Sequence, residues 1–194
     1  MKRIDKRHDS EVVRQNLSYT KGDNSGLRKI LMWEQKRFCA YTEEYIGEND
    51  ACDIEHFNPN LKFTPQDSYN NWYVVKHKPN NLKSTKWIEP ILYLYDEEFE
   101  TRIKYSDGAY IHAQEDHEAK NLLELLGVNK LEQVTLRKKY IARRRELIDF
   151  LNINAREYFE EEIEKEIESI KYLRAIQEEF EIPIWDMIPF PEIN

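Results

Sequence analysis

The chain of 194 residues is short of several things. Its two cysteines, Cys39 and Cys52, are too few for a disulfide framework, so a reducing cytoplasm is the expected compartment. Five glycines and seven prolines exclude collagen-like and low-complexity chains. No apolar run approaches the ~18 residues that a membrane-spanning helix needs. Met1 to Ser10 is basic but has no apolar stretch behind it, so it does not read as a signal peptide. Positive charge is also scarce: 29 Lys and Arg stand against 37 Asp and Glu, a net charge of -8. The molecule as a whole therefore repels nucleic acid, and such a partner must meet a local basic patch or come with help.

What is present suffices for a core. Apolar residues make up 40% and aromatics 12%. That aromatic content is too high for a disordered segment, although the mean hydropathy is -0.82. The length suits one domain, 1–194. Leu27, Ile30, Leu31 and Phe38 recur at helical spacing after a turn-rich stretch, which predicts a helix over 27–38. Phe38–Tyr41 and Ala51–Phe57 flank a turn signal and predict an antiparallel hairpin. Residues 58–70 carry two prolines and three asparagines and read as a loop. Pro79 suits the first turn of a helix over 79–87. Three further strands are expected at 91–95, 101–105 and 110–113, the last two joined by Ser106-Asp107-Gly108.

From Asp116 the period is helical. Ala119, Leu122, Leu123 and Leu126 form one stripe, closed by Gly127. Leu131, Val134, Ile141, Ile148 and Leu151 mark a long helix, and Phe159 to Phe180 another, with the stripes read as core faces. Residues 137–145 hold six Lys or Arg and 157–168 seven Glu. These two faces either attract each other across a hairpin or leave Arg143, Arg144 and Arg145 to phosphate or an acidic partner. Residues 182–194, with three prolines, read as an extended tail.

The chemistry lies in Asp53-Ile54-Glu55-His56-Phe57, Asn70-Asn71-Trp72 and Asn80-Asn81-Leu82-Lys83. Phosphodiester hydrolysis needs a base for the attacking water, and a neutral imidazole suits that task near pH 7. It also needs positive charge where phosphate and leaving oxygens become more negative, which a hard divalent cation on oxygen ligands supplies. A carboxylate beside a histidine at a strand end, with an amide from a facing helix, meets these needs.

Glu-His at a strand end, an Asn 15 residues later and Asn-x-x-Lys nine residues beyond resemble the HNH family of ββα-metal nucleases. The step and the Asn-x-x-Lys ending are also similar to the HNH domain of CRISPR effector nucleases. Cys39-Ala40-Tyr41 ahead of Ile54-Glu55-His56-Phe57-Asn58-Pro59 resembles HNH subunits of Septu-type bacterial anti-phage systems, as does Leu126-Gly127-Val128-Asn129 with Leu131 and Arg137. The resemblance implies an α+β fold. A ββα-metal unit, 38–87, would lie between an N-terminal helix and a mainly helical C-terminal half. A small β section (88–113), a helical region (114–181) and the tail would follow.

The resemblance also implies roles. His56 would be the general base, and Glu55 and Asn80 would bind Mg²⁺ or Mn²⁺. Asn71 would tie down the loop and orient the His56 ring, and Lys83 would face phosphate or brace the helix. Attack opposite the 3′ oxygen would leave 5′-phosphate and 3′-hydroxyl ends on DNA. The partner would be an ABC- or AAA-type ATPase in a defence complex, with no membrane involved. Asp53 shares the strand face of Glu55 and is a rival ligand. Lys76, Lys78 and Lys86 are the expected nucleic-acid contacts beside Lys83.

The chain departs from many HNH proteins in lacking two Cys-x-x-Cys knuckles, so no structural zinc is expected. Trp72 and Trp87 would hold the unit by packing, and Cys39 and Cys52 would be small core residues. His77 reads as incidental, and His112 and His117 as surface residues. Two other functions stay open: an RNA- or tRNA-cleaving HNH nuclease, and a catalytically silent HNH scaffold that binds a partner.

Overall fold

The computed structural model describes residues 1–192 and has an α+β architecture of helices and two small antiparallel sheets. Helix α1 (Glu11–Arg14) is started by Ser10, whose hydroxyl accepts from the Val12 N–H. Helix α2 (Ser25–Glu34) buries Leu27 and Leu31 and stops where Lys36 and Arg37 take positive φ. It begins at Ser25, two residues ahead of the predicted start, and ends four residues short of Phe38.

Strand β1 (Cys52–His56) pairs antiparallel with β2 (Trp72–Lys76), with Cys52 opposite Lys76 and His56 opposite Trp72. This corrects the expected hairpin partner, because the run at 38–41 does not pair with β1. That run lies instead along β2, where the Ala40 N–H donates to the Val74 carbonyl and Cys39 Sγ accepts from the Lys76 N–H. The reason is burial. Trp72, Tyr73, Val74 and Val75 are all buried, so β2 shows no polar–apolar alternation to betray it as a strand.

Helix α3 (His77–Lys83) follows directly and packs across both strands. It starts two residues before Pro79 and ends at Ser84, whose φ is positive, well before Trp87. Trp72 is buried, and Trp87 packs edge-on against Phe57 at 5.4 Å.

The expected β section is smaller than the sequence suggested. Residues 91–95 form no strand, and part of 101–105 lies in helix α4 (Phe99–Arg102). Only β3 (Lys104–Ser106) and β4 (Ala109–Ile111) pair, through a turn in which Asp107 and Gly108 both have positive φ.

Helix α5 (His117–Leu126) is capped by Asp116 at one end and by left-handed Gly127 at the other, as its stripe predicted. Helix α6 (Leu131–Leu151) buries Ile141 and Ile148, but Leu131 and Leu151 at the ends of its stripe are exposed. The expected single helix over 159–180 is broken. Helix α7 (Ala155–Glu166) gives way to a short turn, and α8 (Leu173–Phe180) starts after Tyr172, whose N–H donates to the Glu43 carbonyl. The tail is not wholly extended, since Ile184–Met187 forms the short helix α9; Ile193 and Asn194 lie outside the described residues.

Two cores result. One gathers the N-terminus, α2, the β1–β2 hairpin and α5; the other gathers α6 to α9 with Phe38. The opposed charge runs meet at one pair, Arg144 and Glu162, 3.0 Å apart, while Arg145 pairs outside the acidic run with Glu179 at 2.9 Å.

Candidate active site

The end of β1 opens on a groove of about 550 Å³ that His56, Glu55, Asp53 and Asn80 all line. Two faces of one strand feed it. Asp53 and Glu55 point to α3, as alternation requires, while His56 turns toward the loop between the strands.

His56 is nearly buried, with its side chain 3% exposed and its ring edge-on to Tyr19 at 4.4 Å. Its Nε2 lies 3.0 Å from Asp67 Oδ2, close but out of line for an N–H···O bond. Burial lowers the imidazole pKa below its ordinary 6.5, against the pull of Asp67. The ring is therefore neutral near pH 7 and able to accept a proton.

Asp67 is the residue that sequence reading missed. Its carboxylate accepts from Trp72 Nε1 at 2.8 Å, Asn71 Nδ2 at 3.0 Å and the Phe63 N–H at 3.3 Å. It sat in a stretch legible only as loop, and no spacing rule singles it out.

Asn71 does tie the loop down. Its Oδ1 accepts from the Asn58 N–H at 2.7 Å, and its Nδ2 donates to the Asn58 carbonyl at 3.1 Å. It reaches His56 only through Asp67.

Lys83 is buried, and its Nζ donates to Glu55 Oε1 at 2.7 Å. The Tyr41 hydroxyl donates to the same oxygen at 3.2 Å. Burial raises the Glu55 carboxyl above its ordinary value, and Lys83 pulls it down. Of the two roles foreseen for Lys83, the structure places it in the bracing one.

Asn80 meets Asp53 rather than Glu55. Asp53 Oδ2 accepts from Asn80 Nδ2 at 2.9 Å and lies 2.8 Å from His77 Nδ1, so His77 is not incidental. Among the described residues no three His, Cys, Asp or Glu side chains converge as a metal cluster. The oxygen donors lining the groove, beside the imidazoles of His56 and His77, are the carboxylates of Asp53 and Glu55 and, with its amide turned, the Oδ1 of Asn80. Such a set fits Mg²⁺ or Mn²⁺, which take one or two protein oxygens and leave the rest to water and phosphate.

The expected nucleic-acid lysines stand elsewhere. Lys76 Nζ is held 3.0 Å from Asp50 and 3.6 Å from Glu44. Lys78 is exposed on α3, and Lys86 Nζ donates to the Leu82 carbonyl at 3.2 Å. Arg28 and Lys62 line the groove in their place. No family model, curated protein or solved structure matches the chain.

Proposed function

We propose that the chain is a metal-dependent HNH endonuclease that hydrolyses DNA phosphodiester bonds. One observation carries the reading: a nearly buried imidazole with a carboxylate 3.0 Å from its Nε2 shares one groove with Asp53, Glu55 and Asn80. His56 takes the proton of the attacking water, and the Asp67 carboxylate beside the ring offsets the imidazolium charge that forms. Attack opposite the 3′ oxygen leaves 5′-phosphate and 3′-hydroxyl ends. When bound, the divalent cation supplies a Lewis acid for the phosphate and leaving oxygens. Asp53 and Asn80 would hold it, with Glu55 beside them. Lys83 opposes the burial of the Glu55 charge and ties the end of α3 to β1.

The net charge of -8 supports an effector that reaches DNA with a partner's help, the ATPase of an anti-phage complex on the resemblance above. The Glu55–Lys83 pair favours the second reading, a silent scaffold, because it occupies a carboxylate that chemistry would want free. One assay separates the two. Plasmid is incubated with Mg²⁺ or Mn²⁺ and the protein, alone and with the ATPase encoded beside it. The nuclease reading expects cutting that falls by about 10²–10⁴ in His56→Ala, the contribution of a positioned general base. No cutting under any condition, or cutting undiminished in the variant, overturns it.

A further inference from the structure

We propose that the loop tip beside His56 stacks an unpaired base of the DNA strand being cut. The site then takes single-stranded or locally opened DNA in preference to B-form duplex. This rests on the nuclease reading and names its substrate class.

The observation is an aromatic and basic cluster at the rim of the groove. Phe63 is 52% exposed, and its ring centroid lies 5.7 Å from that of Tyr19, the same Tyr19 that meets His56 edge-on. Lys62 Nζ sits 5.2 Å from the Tyr19 centroid and 5.4 Å from that of Phe63; Lys21 Nζ is 5.5 Å from Phe63. Among the described residues both ammonium groups lie over rings and not in ion pairs, which leaves their charges open to phosphate.

Phe63 is also strained. Its φ is +63°, in the left-handed region, which costs a side chain of this bulk about 1–2 kcal/mol. Burial gives no reason for that cost, because the ring is half in solvent. The Asp67 carboxylate that faces the His56 ring also accepts the Phe63 N–H, so one group lies against both. Nine other non-glycine residues share a positive φ, and Phe63 differs from them in standing exposed at the rim of the groove beside His56.

The chemistry of the cluster selects its ligand. Exposed rings flanked by cations suit splayed bases, whose faces stack while the lysines meet the backbone. In a duplex those faces are already covered by neighbouring base pairs, and Phe63 finds nothing flat to meet. Charge sets the approach: Asp23, Asp53 and Glu55 line the groove, and Lys62, beside the Phe63 ring, and Arg28 are the cations there to receive phosphate.

The test is fluorescence anisotropy without divalent ion, where no cutting occurs. The probes are a labelled DNA single strand, its duplex, and the same strand carrying 2-aminopurine. Wild-type protein is expected to bind the single strand at least about tenfold tighter than the duplex and to quench 2-aminopurine, as a base stack does. Phe63→Ala loses about tenfold on the single strand and little on the duplex, while Phe63→Trp keeps the affinity. Phe63→Gly relieves the strain, so it raises Tm and still loses binding, which separates function from folding.

Equal binding of strand and duplex, no binding of either, or unchanged affinity in Phe63→Ala overturns the proposal. Its failure is distinct from failure of the nuclease reading. Cutting that needs His56 but ignores Phe63→Ala removes only the stacking role, whereas cutting indifferent to His56 removes the reading beneath it.

Discussion

Replacing Lys83 by methionine tests the energetics of the site directly. Lys83 is 1% exposed and Glu55 10% at the side chain, with 2.7 Å between Nζ and Oε1. Methionine keeps the apolar stem and leaves the carboxylate alone in a desolvated position. The protein has one escape, which is to protonate Glu55. From the ordinary value of 4.5, protonating it at pH 7 costs two and a half units at about 1.36 kcal/mol each, or about 3.4 kcal/mol. At pH 5 the same escape costs about 0.7 kcal/mol.

The sign follows from linkage. In the variant the folded-state pKa of Glu55 lies above the unfolded value, so the folded state holds the proton more tightly. Stability is then lost as pH rises through that raised value. Urea unfolding of Lys83→Met against wild type should therefore show a loss approaching ~3 kcal/mol at pH 7 and under ~1 kcal/mol at pH 5. Adding Glu55→Gln, which keeps an acceptor for the Tyr41 hydroxyl, should recover most of the loss. A penalty below ~1 kcal/mol at pH 7, or one equal at both pH values, would refute the reasoning, because a solvated pair behaves that way.

Three other outcomes follow from the same geometry. Asp67→Asn should cut DNA on the order of 100-fold more slowly, with the acid limb of its pH profile displaced, since the imidazole loses its aligning charge. An unmoved profile counts against Asp67 as a positioning residue. Because burial depresses the His56 pKa, the unfolded chain takes the proton first. Stability should then drop as pH falls from 6.5 toward the lowered folded value, and denaturant midpoints of His56→Ala should lack that component. Gly108→Ala should lose about 1–2 kcal/mol in urea unfolding. Its φ is +81°, and a Cβ there would overlap Lys138 Cγ, close to the root of that side chain, and lie 3.0 Å from the Val134 carbonyl.

The helical half was legible where a cap agreed with the period. Asp116, the apolar stripe and Gly127 delimited α5 because each is a local signal. Its neighbours misled for tertiary reasons. Strand β2 is apolar on both faces, and the break before α8 comes from Tyr172 bonding Glu43, far away in the chain. In the site, His56, Glu55, Asn71, Asn80 and Lys83 stood out as a spaced pattern, and the fold gathers them at the end of one hairpin and the helix behind it. Their pairing could not be read: Asn80 goes to Asp53 because residues 77, 80 and 83 of α3 face β1 in order, and Lys83 alone reaches Glu55. Asp67, Tyr19 and Phe63 carried no sequence signal, since their meaning comes only from the loop closing over His56.

Two adjacent residues grip two different parts of the molecule. The Gln35 amide clamps strand β2, donating to the Val74 carbonyl and accepting from the Val74 N–H, both at 2.8 Å. Next to it, the Lys36 ammonium donates to the carbonyls of Trp185 and Ile188 and lies over the Trp185 and Phe190 rings. A single peptide unit thus separates the anchor of the hairpin from the anchor of the C-terminal helices. Any protein that seizes and tilts α9 pulls on residue 36, and residue 36 cannot shift without straining the clamp on the strand that lies against β1. The molecule has, in effect, a two-residue joint between its C-terminal helix and the strand beside the candidate site.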